Sequence, residues 1–190
     1  MKKNLLILGL CATILLTGCM AAVVVGTAAG LIVYDKRSLP VLESDARIFY
    51  LIERAIARDP RFHEARVQIT SFNQVVLLAG QAPTAFLRQT AETVARNTPN
   101  VGHVYNEMTV DFPISYAQRT KDAWITSQVR ANLLAEKGLA SGSIRVVTEN
   151  GIVYLMGKTT HKQSLIAANV ARQIDGVHKV VKIFQYLPED

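Results

Sequence analysis

Val146-Val147-Thr148-Glu149-Asn150-Gly151-Ile152-Val153-Tyr154-Leu155-Met156-Gly157 is the stretch on which the fold turns. Apolar and β-branched runs flank Asn150-Gly151, a dipeptide whose residues accept the positive φ of a tight hairpin. A shift of 77 residues lays this hairpin on an earlier one. Asn73 then meets Asn150, Gly80 meets Gly157, and Val67 and Ile69 meet Ile144 and Val146. The preceding helical pattern aligns too: Asp45-Ala46 with Asp122-Ala123, Ile48 with Ile125, Ile52 with Val129, Ile56 with Leu133. After one deletion, Val94-Ala95-Arg96 meets Val170-Ala171-Arg172, and Val101 and Val104 meet Val177 and Val180. A repeat of this period means two copies of one supersecondary unit.

The first copy reads as follows. A helix runs from Ser44, with Ser44 or Asp45 as N-cap and Ile48, Ile52, Ala55 and Ile56 inward, to the stop at Asp59-Pro60. Ala65 to Ser71 alternates as a strand, and Val75 to Leu78 forms a second that closes at Gly80. Pro83 suits the first turn of a helix that reaches Asn97, with Phe86/Leu87, Ala91, Val94 and Ala95 inward. Val101 to Val110 is a third strand, and Phe112 to Arg119 links the copies. The order is α-β-β-α-β. A unit of about 68 residues is small for one core, which favours packing of the copies together.

Ahead of the repeats lie Lys2 and Lys3, an apolar run from Leu5 to Leu16, and Leu16-Thr17-Gly18-Cys19. This resembles the lipobox of bacterial lipoprotein signals. The resemblance implies removal of residues 1–18 and acylation of Cys19. Two acyl chains, at about 0.8 kcal/mol per buried CH₂, hold a protein on a bilayer. The apolar run is too short to span a membrane. Cys11 leaves with the signal, so no internal disulfide is expected. Met20, not Asp, follows the cysteine, which in that family points to the outer membrane, facing the periplasm. Met20 to Val33 reads as a stem near the lipid, and Asp35 to Pro40 as a linker.

Little in the chain points to catalysis. His63, His103, His161 and His178 are dispersed, without Cys or carboxylates at metal-ligand spacing. No nucleophile elbow or phosphate loop occurs. Gly80 and Gly157 are expected to serve close packing in preference to anion binding. Charge is uneven. Residues 44–112 carry seven Arg and seven acids, whereas 120–187 carry nine Lys+Arg against four acids. An anionic lipid or an acidic envelope protein suits that excess better than nucleic acid, which a secreted chain rarely meets.

On the helix near Thr120, Ile125, Val129 and Leu133 define the buried stripe. At 100° per residue Trp124 lies about 140° from its centre, with Ala131 and Leu134 also on the far side. Lys121 and Arg130 flank it, and Ser127 completes the expected phospholipid-binding set. The Trp124 position holds Arg47 in the first copy, where Tyr50 and Arg54 also face outward.

The α-β-β-α-β unit, its closing glycine and its Val-x-x-Val strand resemble the BON domain. Two such units behind a lipobox are similar to the dual-BON-domain outer-membrane lipoproteins of Gram-negative bacteria. Ala21 to Ala29, Val104-Tyr105-Asn106-Glu107, Trp124-Ile125-Thr126 and Thr148-Glu149-Asn150-Gly151 carry the likeness. It implies an α+β fold of two tandem BON domains, each with a three-stranded mixed sheet and two helices on one face. The boundaries expected are signal 1–18, stem and linker 19–43, first domain 44–112, linker 113–119 and second domain 120–187. The family is implicated in outer-membrane integrity, recruitment to division sites and binding of anionic phospholipid. The expectation is a non-enzymatic lipoprotein without cofactor or metal that binds anionic phospholipid through its second domain. The alternative is a periplasmic adaptor for an envelope assembly or peptidoglycan-linked protein partner.

Overall fold

Ser38, Thr84, Ser115 and Thr160 each precede a helix, in the extended backbone conformation of N-caps. The computed structural model describes residues 37–188. Its helices are α1 (Leu39–Ala57), α2 (Ala85–Arg96), α3 (Tyr116–Ala135) and α4 (His161–Arg172). Its strands are β1 (Arg66–Phe72), β2 (Val75–Ala82), β3 (His103–Asn106), β4 (Thr109–Val110), β5 (Ile144–Glu149), β6 (Ile152–Thr159) and β7 (Lys179–Tyr186). Cys19, the stem and the start of the linker lie outside the described residues.

Each domain is α+β, and its middle strand sits at the centre of a mixed sheet. β1 pairs antiparallel with β2, and β3 and β4 pair parallel with β2. In the second domain β5 pairs antiparallel with β6, and β7 parallel with β6. Ile48, Ile52, Ala91 and Ala95 pack with Val76, Leu78 and Val104 beneath the helices of the first domain. Ile125, Val129, Leu133, Ala167 and Ala171 do so with Val146, Val153 and Leu155 in the second.

The opposite faces of the two sheets pack on each other. Phe72, Val75, Leu77 and Ala79 meet Val147, Tyr154, Met156 and Ile183 in a third apolar cluster. β2 is therefore buried at all eight positions. Its unbroken apolar run is what a strand covered on both faces requires. Within this interface, Tyr154 is buried, and burial together with nearby Glu107 and Glu149 pushes its phenol well above the usual range.

Several elements depart from the periodicity. α1 begins at Leu39, because Pro40 in the first turn forfeits no helical hydrogen bond. α3 begins at Tyr116, where Ser115 Oγ accepts from Gln118 N. Pro83 stands before the cap Thr84, which accepts from Leu87 N. Ala55 and Phe86 face solvent, so neither joins the core. The expected third strand of the first domain is broken between Asn106 and Thr109, where Met108 turns inward.

Candidate functional site

Asp45 and Asp122 set the geometry of the two helices that could present a site. Neither is an N-cap. Each lies within its helix with its side chain buried. Asp122 accepts from the backbone N–H of Asn150 (2.7 Å) and Gly151 (2.9 Å) at the hairpin turn. Asp45 accepts from Asn73 N (2.7 Å), Gln74 N (2.9 Å) and Ser71 Oγ (2.8 Å), and pairs with Arg37. Asn73, Gln74 and Asn150 take positive φ, so their amides converge on the carboxylate. These anchors fix which face of α1 and of α3 is inward.

With Asp122, Ile125, Val129 and Leu133 inward on α3, the other face is free. Trp124 is 50% exposed and belongs to none of the three clusters. Leu134 is 63% exposed, and Lys121, Ser127 and Ala131 are exposed beside it. Six of the expected residues thus sit on one helix, but they are not equivalent. Ser127 Oγ donates to Trp124 O (2.7 Å) and so serves the helix itself. Arg130, though exposed, is tied through Nη2 to Val146 O on β5 (3.0 Å), whereas Lys121 stands exposed one turn before Trp124. Tyr116, missed because it was placed in the linker, is 82% exposed and extends the apolar row by two turns. Its only sequence signal was Ser115 as an N-cap. Arg119 lies 4.6 Å over its ring.

The matching face of α1 is mixed: Leu39 and Tyr50 are exposed on it beside arginines. Arg54 donates to Tyr50 Oη (3.3 Å), and Arg47 is exposed where α3 has Trp124. No group of metal-ligating side chains forms among the described residues. His161 stacks on Tyr186 with ring centroids 3.7 Å apart, and His103 lies against Tyr105. Gly80 and Gly157 are packing glycines. A Cβ there would stand 2.1 Å from Arg66 O and 2.3 Å from Ser143 O. No helix among the described residues is long and apolar enough to cross a membrane.

A family model, the BON domain, matches residues 44–111 and 121–188. Over 189 residues the chain is 39% identical to the outer membrane lipoprotein DolP of Haemophilus influenzae, covering 98% of this chain and 97% of that one. It is 34% identical to the 21 kDa hemolysin of Actinobacillus pleuropneumoniae, across 80% of this chain and 79% of that protein. The osmotically-inducible protein Y of Escherichia coli is 25% identical across 72% and 69%. With two matched domains and a relative alike along nearly its whole length, the chain belongs to the BON-domain family, as a dual-BON outer-membrane lipoprotein anchored by lipid and facing the periplasm.

Proposed function

We propose that the outward face of α3 binds anionic phospholipid, and that Cys19 carries the acyl chains that hold the protein at the bilayer. The observation that supports this reading is Trp124, half exposed opposite the core, in a row with Ala131 and Leu134 and with Lys121 beside it. Tryptophan is favoured at the membrane–water interface. Burying its remaining area contributes about 2–3 kcal/mol at roughly 25 cal/mol per Å². One ammonium near an anionic surface adds about 1 kcal/mol. A sum of about 3–4 kcal/mol corresponds to a millimolar Kd, so binding from solution is partial and is seen only with lipid at about millimolar concentration or above. That affinity is adequate once an anchor raises the effective concentration of the domain at the membrane. The role is non-enzymatic: it supports outer-membrane integrity at division sites, without cofactor.

Sedimentation of the unanchored Cys19→Ala chain with anionic and with zwitterionic vesicles tests this. The chain is expected to follow anionic vesicles, and Trp124→Glu to abolish that while leaving the melting temperature unchanged. Undiminished binding by Trp124→Glu rejects the membrane role, and an unfolded variant places Trp124 in the core.

A further inference from the structure

The two sheets end in different edges. In the first domain, Glu107 N donates inward to Leu78 O, so the alternate groups of Val104 and Asn106 point outward. That edge is blunted. Arg88 on α2 reaches round it and donates to Asn106 O (2.9 Å) and Met108 O (2.7 Å). The break between β3 and β4 shortens it further. Both are ways in which proteins keep a sheet from pairing with another chain.

β7 has neither device. It runs unbroken from Lys179 to Tyr186 and, among the described residues, pairs only with β6. Leu187 N donates inward to Thr159 O. By the alternation of a parallel ladder, the N–H and C=O of Val180, Lys182 and Phe184 therefore point outward. The residue at the Arg88 position is Ser164, which is buried and donates to His161 O within its own helix (2.7 Å). Ser164 therefore does not cover the outward carbonyls in the way Arg88 does.

The elements that form this edge are basic, and the one acid between them, Asp175, lies in the turn that joins them. α4 and β7 carry Lys162, Arg172, Lys179 and Lys182 and no acidic residue. In the first domain α2 balances Arg88 and Arg96 with Glu92, and Glu107 and Asp111 follow on its edge. Two copies of β7 side by side would set lysines against lysines, so a second copy is disfavoured. Residues 20–34 of the stem carry no charge to complement them.

We propose that the β7 edge is a docking site for an extended, acidic segment of a partner protein, which adds a fourth strand to the second sheet. Backbone hydrogen bonds to Val180, Lys182 and Phe184 hold the strand, and carboxylates at alternate positions, which share one face of it, meet Lys182 on the face that Val180 and Phe184 turn to the helices. The site is separate from Trp124, so a partner strand and a membrane can be held together.

The test uses the full ¹⁵N-labelled chain in detergent micelles and a short peptide that alternates valine with glutamate. The peptide is expected to bind and to slow hydrogen exchange at the amides of Val180, Lys182 and Phe184. Methylating alternate backbone nitrogens of the peptide removes strand donors at constant charge and is expected to abolish binding. Lys182→Glu is expected to weaken binding about tenfold through charge reversal alone. Lys182→Pro deletes one outward N–H without touching the ladder. If that variant does not fold, the methylated peptide and Lys182→Glu still decide. Equal binding of the methylated peptide would overturn the proposal, as would no binding. Outward amides already protected in the chain alone would also overturn it, because the edge would then be occupied by the stem or a second copy. Trp124→Glu is expected to keep peptide binding, and Lys182→Glu to keep vesicle binding, so each site fails independently.

Discussion

At the scale of single residues, one carboxylate per domain ties a helix to a hairpin. Asp122 accepts two turn amides, of which that of Gly151 is buried, and Gln118 Nε2 at 3.0 Å completes its shell. A carboxylate so placed does in each copy what a capping side chain does at a helix end, but it caps a turn from the neighbouring element. Asp122→Ala would leave the amides of Asn150 and Gly151 without an acceptor. One unmet buried donor, at Gly151, and the lost charged hydrogen bonds together predict a loss of about 2–3 kcal/mol. Urea denaturation checks this, with Asp122→Asn expected to recover part of the loss through its carbonyl oxygen. A loss below about 1 kcal/mol would mean that the turn closes without the carboxylate. The repeat alignment already paired Asp45 with Asp122. Their role escaped the sequence because an aspartate near a helix start is also the usual mark of an N-cap.

At the scale of elements, each hairpin depends on a glycine where the first strand crosses the second. Gly80 lies opposite Val67 and Gly157 opposite Ile144 in the strand register. A methyl group at Gly157 meets the Ser143 carbonyl, so the start of β5 must move. Overpacking of this kind predicts a cost of about 2–3 kcal/mol for Gly157→Ala. Gly80 also has φ +114°, a region that an L-residue enters only at further cost. Thermal melts of the two variants should therefore rank Gly80→Ala below Gly157→Ala. Equal melting temperatures would show that contact alone, and not backbone conformation, sets the penalty. Helix starts were the least legible feature at this scale. Pro40 and Pro113 both looked like linker punctuation, yet Pro40 lies inside a first turn and Pro113 outside one. A proline is compatible with either position, and only the chain around it decides.

At the scale of the whole molecule, the domains share a sheet-on-sheet interface that includes a buried charged tie. Glu149 is 3% exposed, and Arg66 grips it with Nε at 3.0 Å and Nη2 at 3.1 Å. Gln81 Nε2 also donates to Glu149, while its Oε1 accepts from Ile114 N of the connecting segment. Arg66→Ala would leave a buried carboxylate with a single amide donor. Breaking a buried pair costs about 3–5 kcal/mol, and because Arg66 is itself partly exposed about 2–3 kcal/mol is expected. The readout is hydrogen exchange at β2 and β6, which should quicken in both strands at once if the domains unfold together. Faster exchange in β6 alone would show that the domains are held by apolar contact and not by the ion pair.

The sequence by itself determined the repeated unit, its order of elements and the inward stripe of each long helix. Those features are local: hydrophobic period, turn chemistry and the spacing of Ile125, Val129 and Leu133 need no partner to be read. The exposure of Trp124 followed from the same arithmetic and holds in the fold. The tertiary structure alone decided the rest. That Arg130 turns to the Val146 carbonyl while Lys121 stays outward depends on where β5 runs. That Arg88 covers one sheet edge while Ser164 leaves the other open depends on how far a side chain reaches across space. The small size of each unit favoured packing of the copies together, but not which surfaces would meet. Any apolar sheet face of matching shape satisfies the hydrophobic effect, which has no direction; the directional contacts Arg66–Glu149, Gln81–Glu149 and Gln185–Asn73, with the interlocking of Phe72, Leu77, Tyr154 and Met156, pick out this arrangement.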